Sequence, residues 1–549
     1  MKNISVLVFL FLVSFLSAQD VVNPLDAFYQ DVEIWENRGL VHNLPHARPY
    51  PLFVIKKILD EVDEKGSSSD KARSSYYRQN WQDEGFDVYQ ELSVTNRNKD
   101  FNLYENQVKE VLALGGYISP NLSFNFNGYV YAWDKTDGIH LPRGTARADD
   151  LVEDAAGFTA FGRTVDLRGS VSTLLAYGQP DFFITAGMHR SDFGPFYFNG
   201  AILSGQAPYA PTINLHWEQN WVSLDYIYKG ISASNSLNAV RRYPEKHFVT
   251  HELAFKPFPE IWEFSVVETM IFGKRLDVLY FIPVSLYFFN QAIFGFSDNN
   301  LIGLTNKLRL APGVQWNSLF YLDDYSMNDV MRLKLFETKF KVALQSNLTW
   351  TPENNPLQML QLEYLLVAPY MYTHVFDDNG ADDPWKTDSI SGSATGALEP
   401  NYLNYTHMGR NLGPALEPNS DRITLKSLFR FADWMDLGFW GRVIRHGNAS
   451  WDRTWINNDG SIFDDGYNNE IKDGGYQFEK STPFLSQPVI EWVFIAGTDF
   501  RYKWDIFPNQ SLQLGIPLIL QKIANKNFQP GLEETSVFTE LNLRYIFRY

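Results

Sequence analysis

The stretch Val537-Phe-Thr-Glu-Leu-Asn-Leu-Arg-Tyr-Ile-Phe-Arg-Tyr549 puts Val537, Leu541, Leu543, Tyr545, Phe547 and Tyr549 on one face of an extended strand and Glu540, Asn542, Arg544 and Arg548 on the other. Side chains of a β-strand point alternately to opposite faces, so the segment has one apolar face and one polar face. With an aromatic last residue, this is the pattern of the strand that closes an outer-membrane barrel. A half-buried strand of a soluble protein alternates in the same way, and only recurrence upstream separates the two.

The pattern recurs. Leu512, Leu514, Ile516, Leu518 and Leu520 oppose Ser511, Gln513, Gly515 and Gln521, and Trp492, Phe494, Ala496, Phe500 and Tyr502 oppose Glu491, Asp499 and Arg501. Phe340, Val342, Leu344, Leu348 and Trp350 alternate with Lys341, Gln345, Asn347 and Thr349, and Leu360, Leu362, Tyr364 and Leu366 with Gln361 and Glu363. Near the start, Leu122, Phe124, Phe126 and Val130 oppose Asn121, Ser123, Asn125 and Asn127. Such faces are satisfied by lipid outside and by water or side chains inside, in a ring without edges, because an open sheet edge is not viable in hydrocarbon.

The connections alternate as well. Phe507-Pro508-Asn509, Asp433 to Asp436, Pro352 to Asn355, Pro257 to Pro259 and Gly178 to Pro180 read as tight turns. The segments between them, about Gln521 to Thr535, Gly447 to Ser486, His374 to Ser420, Asp323 to Thr338 and Gly273 to Asp298, are long. Outer-membrane barrels have short turns on the periplasmic side and long loops outside, which puts the C-terminus in the periplasm. Counting strands from about Phe86 to Tyr549 gives roughly eighteen, an even number that returns both ends of the barrel to one side.

Residues 19–83 follow a different period. Pro24 to Tyr29 and Pro51 to Asp60 show helical spacing, with Leu52, Ile55, Ile58 and Leu59 opposite Lys56 and Asp60, and Ser67 to Asp70 can cap a further helix through Tyr77. This predicts a small periplasmic helical domain ahead of a barrel over 84–549. Residues 1–18, charged at Lys2, apolar from Ile4 to Leu16 and ending on Ser17-Ala18, read as a signal peptide for Sec export. No later stretch offers ~18 uninterrupted apolar residues, so a helical membrane protein is excluded.

Composition agrees. Aromatic residues make up 16% of the chain while mean hydropathy is only -0.26, as expected when lipid-facing and lumen-facing residues alternate. The absence of cysteine removes disulfides, thiol catalysis and thiolate metal sites. A net charge of -17 argues against binding nucleic acid by bulk attraction.

The order of the helical N-terminal segment, Gly187-Met-His-Arg190, Asp192-Phe-Gly194-Pro195, His251-Glu252-Leu253, Asp298-Asn-Asn-Leu301 and Tyr321-Leu-Asp323-Asp324 resembles the Wzi-type capsule-assembly family, over nearly the whole chain after the signal peptide. It is also similar to the RemB-like branch of that family in gliding bacteria. The resemblance implies an eighteen-stranded barrel with a periplasmic helical bundle and inward loops, acting as an outer-membrane lectin that holds capsular polysaccharide. The RemB-like branch adds a role in surface motility or adhesion.

Catalytic signatures are missing. Gly392-Ser-Ala-Thr-Gly396 has Ala394 where a nucleophile elbow needs serine, His251-Glu252 lacks the second histidine of a zinc helix, and there is no phosphate loop. The expectation is therefore no enzyme, no metal and no cofactor. Two loops carry the materials of sugar recognition, aromatic faces beside amides and carboxylates: Trp451, Trp455, Asn457, Asp459, Asp464 and Asp465 in one, and Asp377, Asp378 and Trp385 in the other. Neither has the spacing of a calcium loop. A third segment, with Tyr280, Phe281, Phe288, Phe289 and Phe294, is too apolar for water and is expected to fold into the lumen or over its mouth, as is Phe193 to Pro208 with Phe196, Tyr197 and Phe198; the alternative is that these residues are aromatic girdle and strand extensions above the membrane. The expected partners are surface polysaccharide, outer-membrane lipid and periplasmic export or motility proteins. A porin-like channel and an outer-membrane hydrolase are the alternatives, and the oligomeric state is left open.

Overall fold

The computed structural model describes residues 23–78, 86–136, 139–145, 157–160, 163–232, 246–273, 275–294, 298–324, 332, 341–369, 371–372, 403–408, 410–432, 434–447, 484–507 and 510–548. Among these, eighteen antiparallel strands close into one barrel. In chain order they are β1 (Phe86–Lys99), β2 (Leu103–Ser119), β3 (Leu122–Lys135), β4 (Arg163–Gln179), β5 (Phe182–His189) and β6 (Ala210–Gln219). There follow β7 (Val222–Ile231), β8 (Lys246–Phe258), β9 (Trp262–Gly273), β10 (Asn299–Ala311), β11 (Val314–Asp324) and β12 (Lys341–Trp350). The ring is completed by β13 (Leu357–Val367), β14 (Ser420–Ala432), β15 (Met435–Gly447), β16 (Ile490–Phe507), β17 (Gln510–Ala524) and β18 (Glu533–Arg548).

Each strand pairs with the next, and β18 pairs with β1 from Tyr89 opposite Arg548 to Lys99 opposite Phe538. Inward ion pairs pin this seam. Arg97 reaches Glu540 at 2.6 Å and Glu105 at 2.9 Å, and Arg544 reaches Glu91 at 2.5 Å. The outward face is apolar around the ring, with Leu114, Val171, Ile184, Ile213, Val266, Leu304, Leu348, Leu362, Leu425, Phe494, Leu518 and Leu541 exposed. Beside them Ser93, Gln107, Asn127, Ser172, Asn214, Asn317 and Asn347 point inward and are buried.

The odd-to-even links from β4 onward run long and the even-to-odd ones short, so the barrel has a tight-turn rim and a long-loop rim. Two details differ from the alternation read in the sequence. The β1–β2 link is only residues 100–102 although it lies on the long-loop rim, and the β17–β18 link shrinks to residues 525–532 because both strands extend further than their hydropathy suggests.

Among the described residues three helices precede the ring: α1 (Ala27–Arg38), α2 (Leu52–Lys65) and α3 (Ser68–Arg78). Asp26 caps α1 by accepting from the Phe28 N–H, and Gly39 ends it in the left-handed conformation at φ 75°. Ser67 and Asp70 form the reciprocal cap expected for α3, with the Ser67 N–H donating to the Asp70 carboxylate at 3.1 Å and the Asp70 N–H to Ser67 Oγ at 3.3 Å. The expected signal peptide lies outside the described residues.

The lipid-facing assignment is directly testable. Leu543 is 38% exposed on the outer face midway along β18. Leu543→Arg should cost roughly 2–4 kcal/mol of folding stability in lipid vesicles. Asn542→Arg, one residue earlier and facing the lumen, should stay within about 1 kcal/mol. Reversible urea unfolding in vesicles reads both, and equal costs would overturn the facing.

Candidate functional site in the barrel lumen

The helical domain enters the tight-turn rim. Its first helix carries polar residues that would be costly to bury alone, and each meets the wall. Asn37 donates to the carbonyls of Gly313 and Thr349, both at 3.2 Å, and Arg38 donates to the Pro352 carbonyl at 2.8 Å and to Gln358 at 3.1 Å. Glu36 pairs with Lys307 of β10. Asp31 accepts from Arg73 of α3 at 2.7 Å, from the Tyr77 hydroxyl at 2.5 Å and from Arg430 of β14 at 2.8 Å. Burial would raise the Asp31 pKa, but Arg430 and Arg73 outweigh it and hold the carboxyl well below the usual carboxylate range.

From α1 the chain climbs further into the lumen. The His46 imidazole lies between two inward carboxylates, 2.8 Å from Glu252 of β8 through Nδ1 and 3.0 Å from Glu263 of β9 through Nε2, and its backbone N–H donates to Asp225 of β7 at 3.2 Å. Burial pushes this imidazole down, and the two carboxylates more than offset it, holding the group at about 10. It is therefore a cation at neutral pH.

Residues Ala47–Arg48 then pair as a short strand with Asp192–Phe193, which descends from the long-loop rim in the β5–β6 connection. Arg48 donates through Nε to Asp192 at 3.0 Å, through its terminal nitrogen to the carbonyls of Gly194 at 2.7 Å and Phe196 at 3.2 Å, and lies 4.3 Å from the centre of the Tyr197 ring. The side chains of Arg48 and Asp192 are 2% and 0% exposed. A buried ion pair of this kind is strongly destabilised when one partner is removed, because the other charge is left without compensation.

Around that junction the lumen is an apolar core. Phe193, Phe196, Ala201, Ile202 and Leu203 of the β5–β6 connection pack with Met371, Tyr372, Tyr405 and Leu412 of the β13–β14 connection against inward Ile227, Phe248, Val267, Ile271, Leu319 and Val367 of the wall. The two connections are sewn together by the Tyr372 hydroxyl donating to the Ala201 carbonyl at 2.7 Å, the Tyr405 hydroxyl to the Ile202 carbonyl at 2.5 Å and the Ser204 N–H to the Leu412 carbonyl at 2.8 Å. Phe193 to Pro208 therefore folds inward as its sequence suggests. The wall facing these loops is mixed: inward Ile227, Phe248, Ile271 and Val367 pack on them, while inward Lys229 donates to Ser191 Oγ at 2.9 Å and Lys246 to the Thr406 carbonyl at 2.7 Å.

A cavity of about 420 Å³ remains between the helical domain and the wall formed by β1–β3 and β15–β18. Tyr76, Tyr77, Tyr131 and Tyr209 line it together with Arg73, Arg97, Lys109, Arg501, Lys503 and Arg544, against the carboxylates of Asp26, Glu91 and Asp436. Rings beside paired polar groups are materials for holding a sugar or other polar ligand.

Of the residues singled out in the sequence, Trp451, Trp455, Asn457, Asp459, Asp464, Asp465, Asp377, Asp378 and Trp385 lie outside the described residues. The apolar segment between β9 and β10 is described, and it does not enter the lumen. Tyr280 packs on Val249, Met270 and Phe272, whose side chains point outward from β8 and β9, and Phe281 lies 4.7 Å from the ring of Tyr228 on the outer face of β7. Phe288, Phe289 and Phe294 are exposed. Apolar content shows that a segment leaves water without showing on which side of the wall, and the lumen here is filled by the other two connections.

Arg48 and His46 were not singled out, since nothing local marks either as a lumen residue. The fragments that carry the family resemblance do point to their surroundings. Arg190 donates to the carbonyls of Gln206 and Ala207, Asp192 holds Arg48, Glu252 holds His46, Asn299 donates to the Leu403 carbonyl, Tyr321 meets Tyr405, and Asp323 accepts from the Tyr372 N–H. Each is a contact between wall and plug or within the plug.

Two outcomes follow for this junction. Arg48→Ala should lower stability by about 3–5 kcal/mol, and Arg48→Ala with Asp192→Ala should recover part of that loss in denaturant unfolding. A double variant as unstable as the sum of the single ones would contradict a buried pair. For His46, the folded value lies above the ~6.5 of a free imidazole, so its stabilisation is complete below about pH 6.5 and is lost as pH rises through about 10. The melting temperature should fall across that window by more than in His46→Gln, and parallel curves by calorimetry would refute the charged imidazole.

No protein-family model matches the chain, and none of the curated proteins does. Among solved structures it is similar to Wzi of Escherichia coli, described as an outer-membrane protein involved in group 1 capsule assembly and a carbohydrate-binding β-barrel, with 11% identity and a TM-score of 0.55 over 96% of this chain and 98% of that one. OprD of Pseudomonas aeruginosa aligns more loosely, with 9% identity and a TM-score of 0.43 over 85% of this chain and 96% of that one. The chain thus has the fold of Wzi: a closed eighteen-stranded barrel with a small helical part ahead of it.

Proposed function

We propose that this protein is a non-enzymatic outer-membrane barrel that binds a surface polysaccharide and serves in its assembly or retention. In this reading the tight-turn rim, the helical domain and the C-terminus face the periplasm, and the long loops face outward. The observation that carries it is the interlocked lumen. A helical domain from one end and two folded connections from the other meet at Arg48 and Asp192 inside an apolar core, which suits a rigid mount better than a diffusion pore. The likeness in fold to a carbohydrate-binding barrel supports the same reading.

The binding surface is assigned to the two long connections around Trp451 to Asp465 and Asp377 to Trp385, whose rings and carboxylates suit stacking on sugars and bonding their hydroxyls. The detergent-solubilised protein should retain capsular polysaccharide on a glycan array and release no sugar on incubation with it. Replacing residues 450–480 by a short linker, and residues 375–390 in a second variant, should weaken binding at least tenfold, about 1.4 kcal/mol or more, while heat-modifiable gel migration persists. Undiminished binding when both are replaced would sink the site assignment, and released sugar would make the protein a hydrolase.

A further inference from the structure

The segment joining β9 and β10 folds back over the outside of the barrel. It forms a turn of 3-10 helix at Val278–Phe281 and then α4 (Tyr287–Phe294). Tyr280 and Tyr287, both fully buried, cover outward-facing Val249, Met270 and Phe272, and the Tyr226 hydroxyl on β7 donates to the Tyr280 carbonyl at 3.3 Å.

What holds α4 in place is a carboxylate on the wrong side of the wall. Glu268 alternates with inward Val267 and Thr269 on β9 and so faces outward, where a charge in hydrocarbon is costly. It is nevertheless only 5% exposed. The Tyr287 N–H donates to it at 2.8 Å and the Phe288 N–H at 2.5 Å, at the start of α4, where a negative charge also complements the helix dipole. Asn300 of β10 donates at 3.3 Å, and His251 of β8 lies 3.4 Å away. The segment seals Glu268 from its surroundings, and Glu268 in turn orients α4.

The opposite side of the segment is apolar and bare. Val278, Val284 and Ile293 are 71%, 74% and 72% exposed, with Leu286, Phe289 and Phe294 also exposed, and α4 carries no charged residue. A surface of this kind does not rest in water. It continues the exposed belt of the same wall, since Leu253, Val266 and Leu304 lie bare on the neighbouring outward face. We propose that residues 275–294 form an interfacial platform on the outside of the barrel, inserted among the acyl chains of the surrounding leaflet and held at that depth by Glu268. Short amphipathic helices insert in this way, with the apolar face a few ångströms below the headgroups.

The chain has no cysteine, so single labels report without interference. Ile293→Cys, Phe289→Cys and, as a loop control, Gly531→Cys are labelled with a nitrobenzoxadiazole dye and reconstituted in phosphatidylcholine vesicles containing acyl-chain nitroxide lipid. Labels at 293 and 289 should be quenched severalfold more by the lipid nitroxide than the label at 531, and should resist iodide, which quenches 531. Adding Glu268→Ala should reverse that order for 293, whereas Glu268→Gln, which keeps an acceptor, should preserve it. Should the Glu268→Ala variant not assemble, the comparison of 293 and 289 with 531 still decides. Iodide access at 293 equal to that at 531 would overturn the proposal. So would iodide protection at 293 without lipid quenching, accompanied by disulfide crosslinking of the unlabelled Ile293→Cys variant between copies.

Discussion

Hydrocarbon offers no partner for a backbone N–H or C=O, and everything in this chain is arranged around that constraint. A ladder in lipid has to return to its own start, and here β18 does so by pairing with β1 along the seam pinned by Arg97 and Arg544. Closure fixes which side chains meet lipid and which meet the lumen. The inward set can then be polar, as at Gln107 and Asn347, or apolar, as at Ile271 and Val367, depending only on what fills the space.

The lumen is where the chain departs from a simple pore. Two bodies of opposite origin occupy it, a helical domain entering by the tight turns and folded connections entering by the long loops. Their contact is charged and buried: Arg48 on Asp192, with His46 between Glu252 and Glu263 just below. Each pair crosses from plug to wall or from plug to plug, so helical domain, connections and wall are tied to one another around the cavity that remains. In the function proposed above, such a base would suit loops that hold a long polymer, since a fixed base lowers the entropy lost when they close on it.

Much of this was legible in the residues. Period-two alternation survives in the sequence because lipid demands an unbroken apolar face, and tight turns show through Pro257 to Pro259 and Pro352 to Asn355. The capping pair Ser67 and Asp70 marked α3 correctly. The full length of α1 was not visible, because Asp31, Glu36, Asn37 and Arg38 are buried along with Val32 and Trp35, which erases the amphipathic stripe. The side of the wall chosen by Tyr280 and Phe288 was equally hidden. Hydropathy records removal from water and not the side of the wall, and Glu268, which accepts from the Tyr287 and Phe288 N–H groups, lies 19 and 20 positions earlier in the chain. His46 and Arg48 gave no local signal, since their partners come from 144 or more positions further along the chain.

The most direct measurement of the central claim is ionic conductance of the whole protein in planar lipid bilayers. An interlocked plug predicts insertion without a steady current in the wild-type chain, and stepwise openings when Arg48→Ala and Asp192→Ala are introduced singly. A steady, ion-conducting pore in the wild-type protein, unchanged by either substitution, would contradict the account.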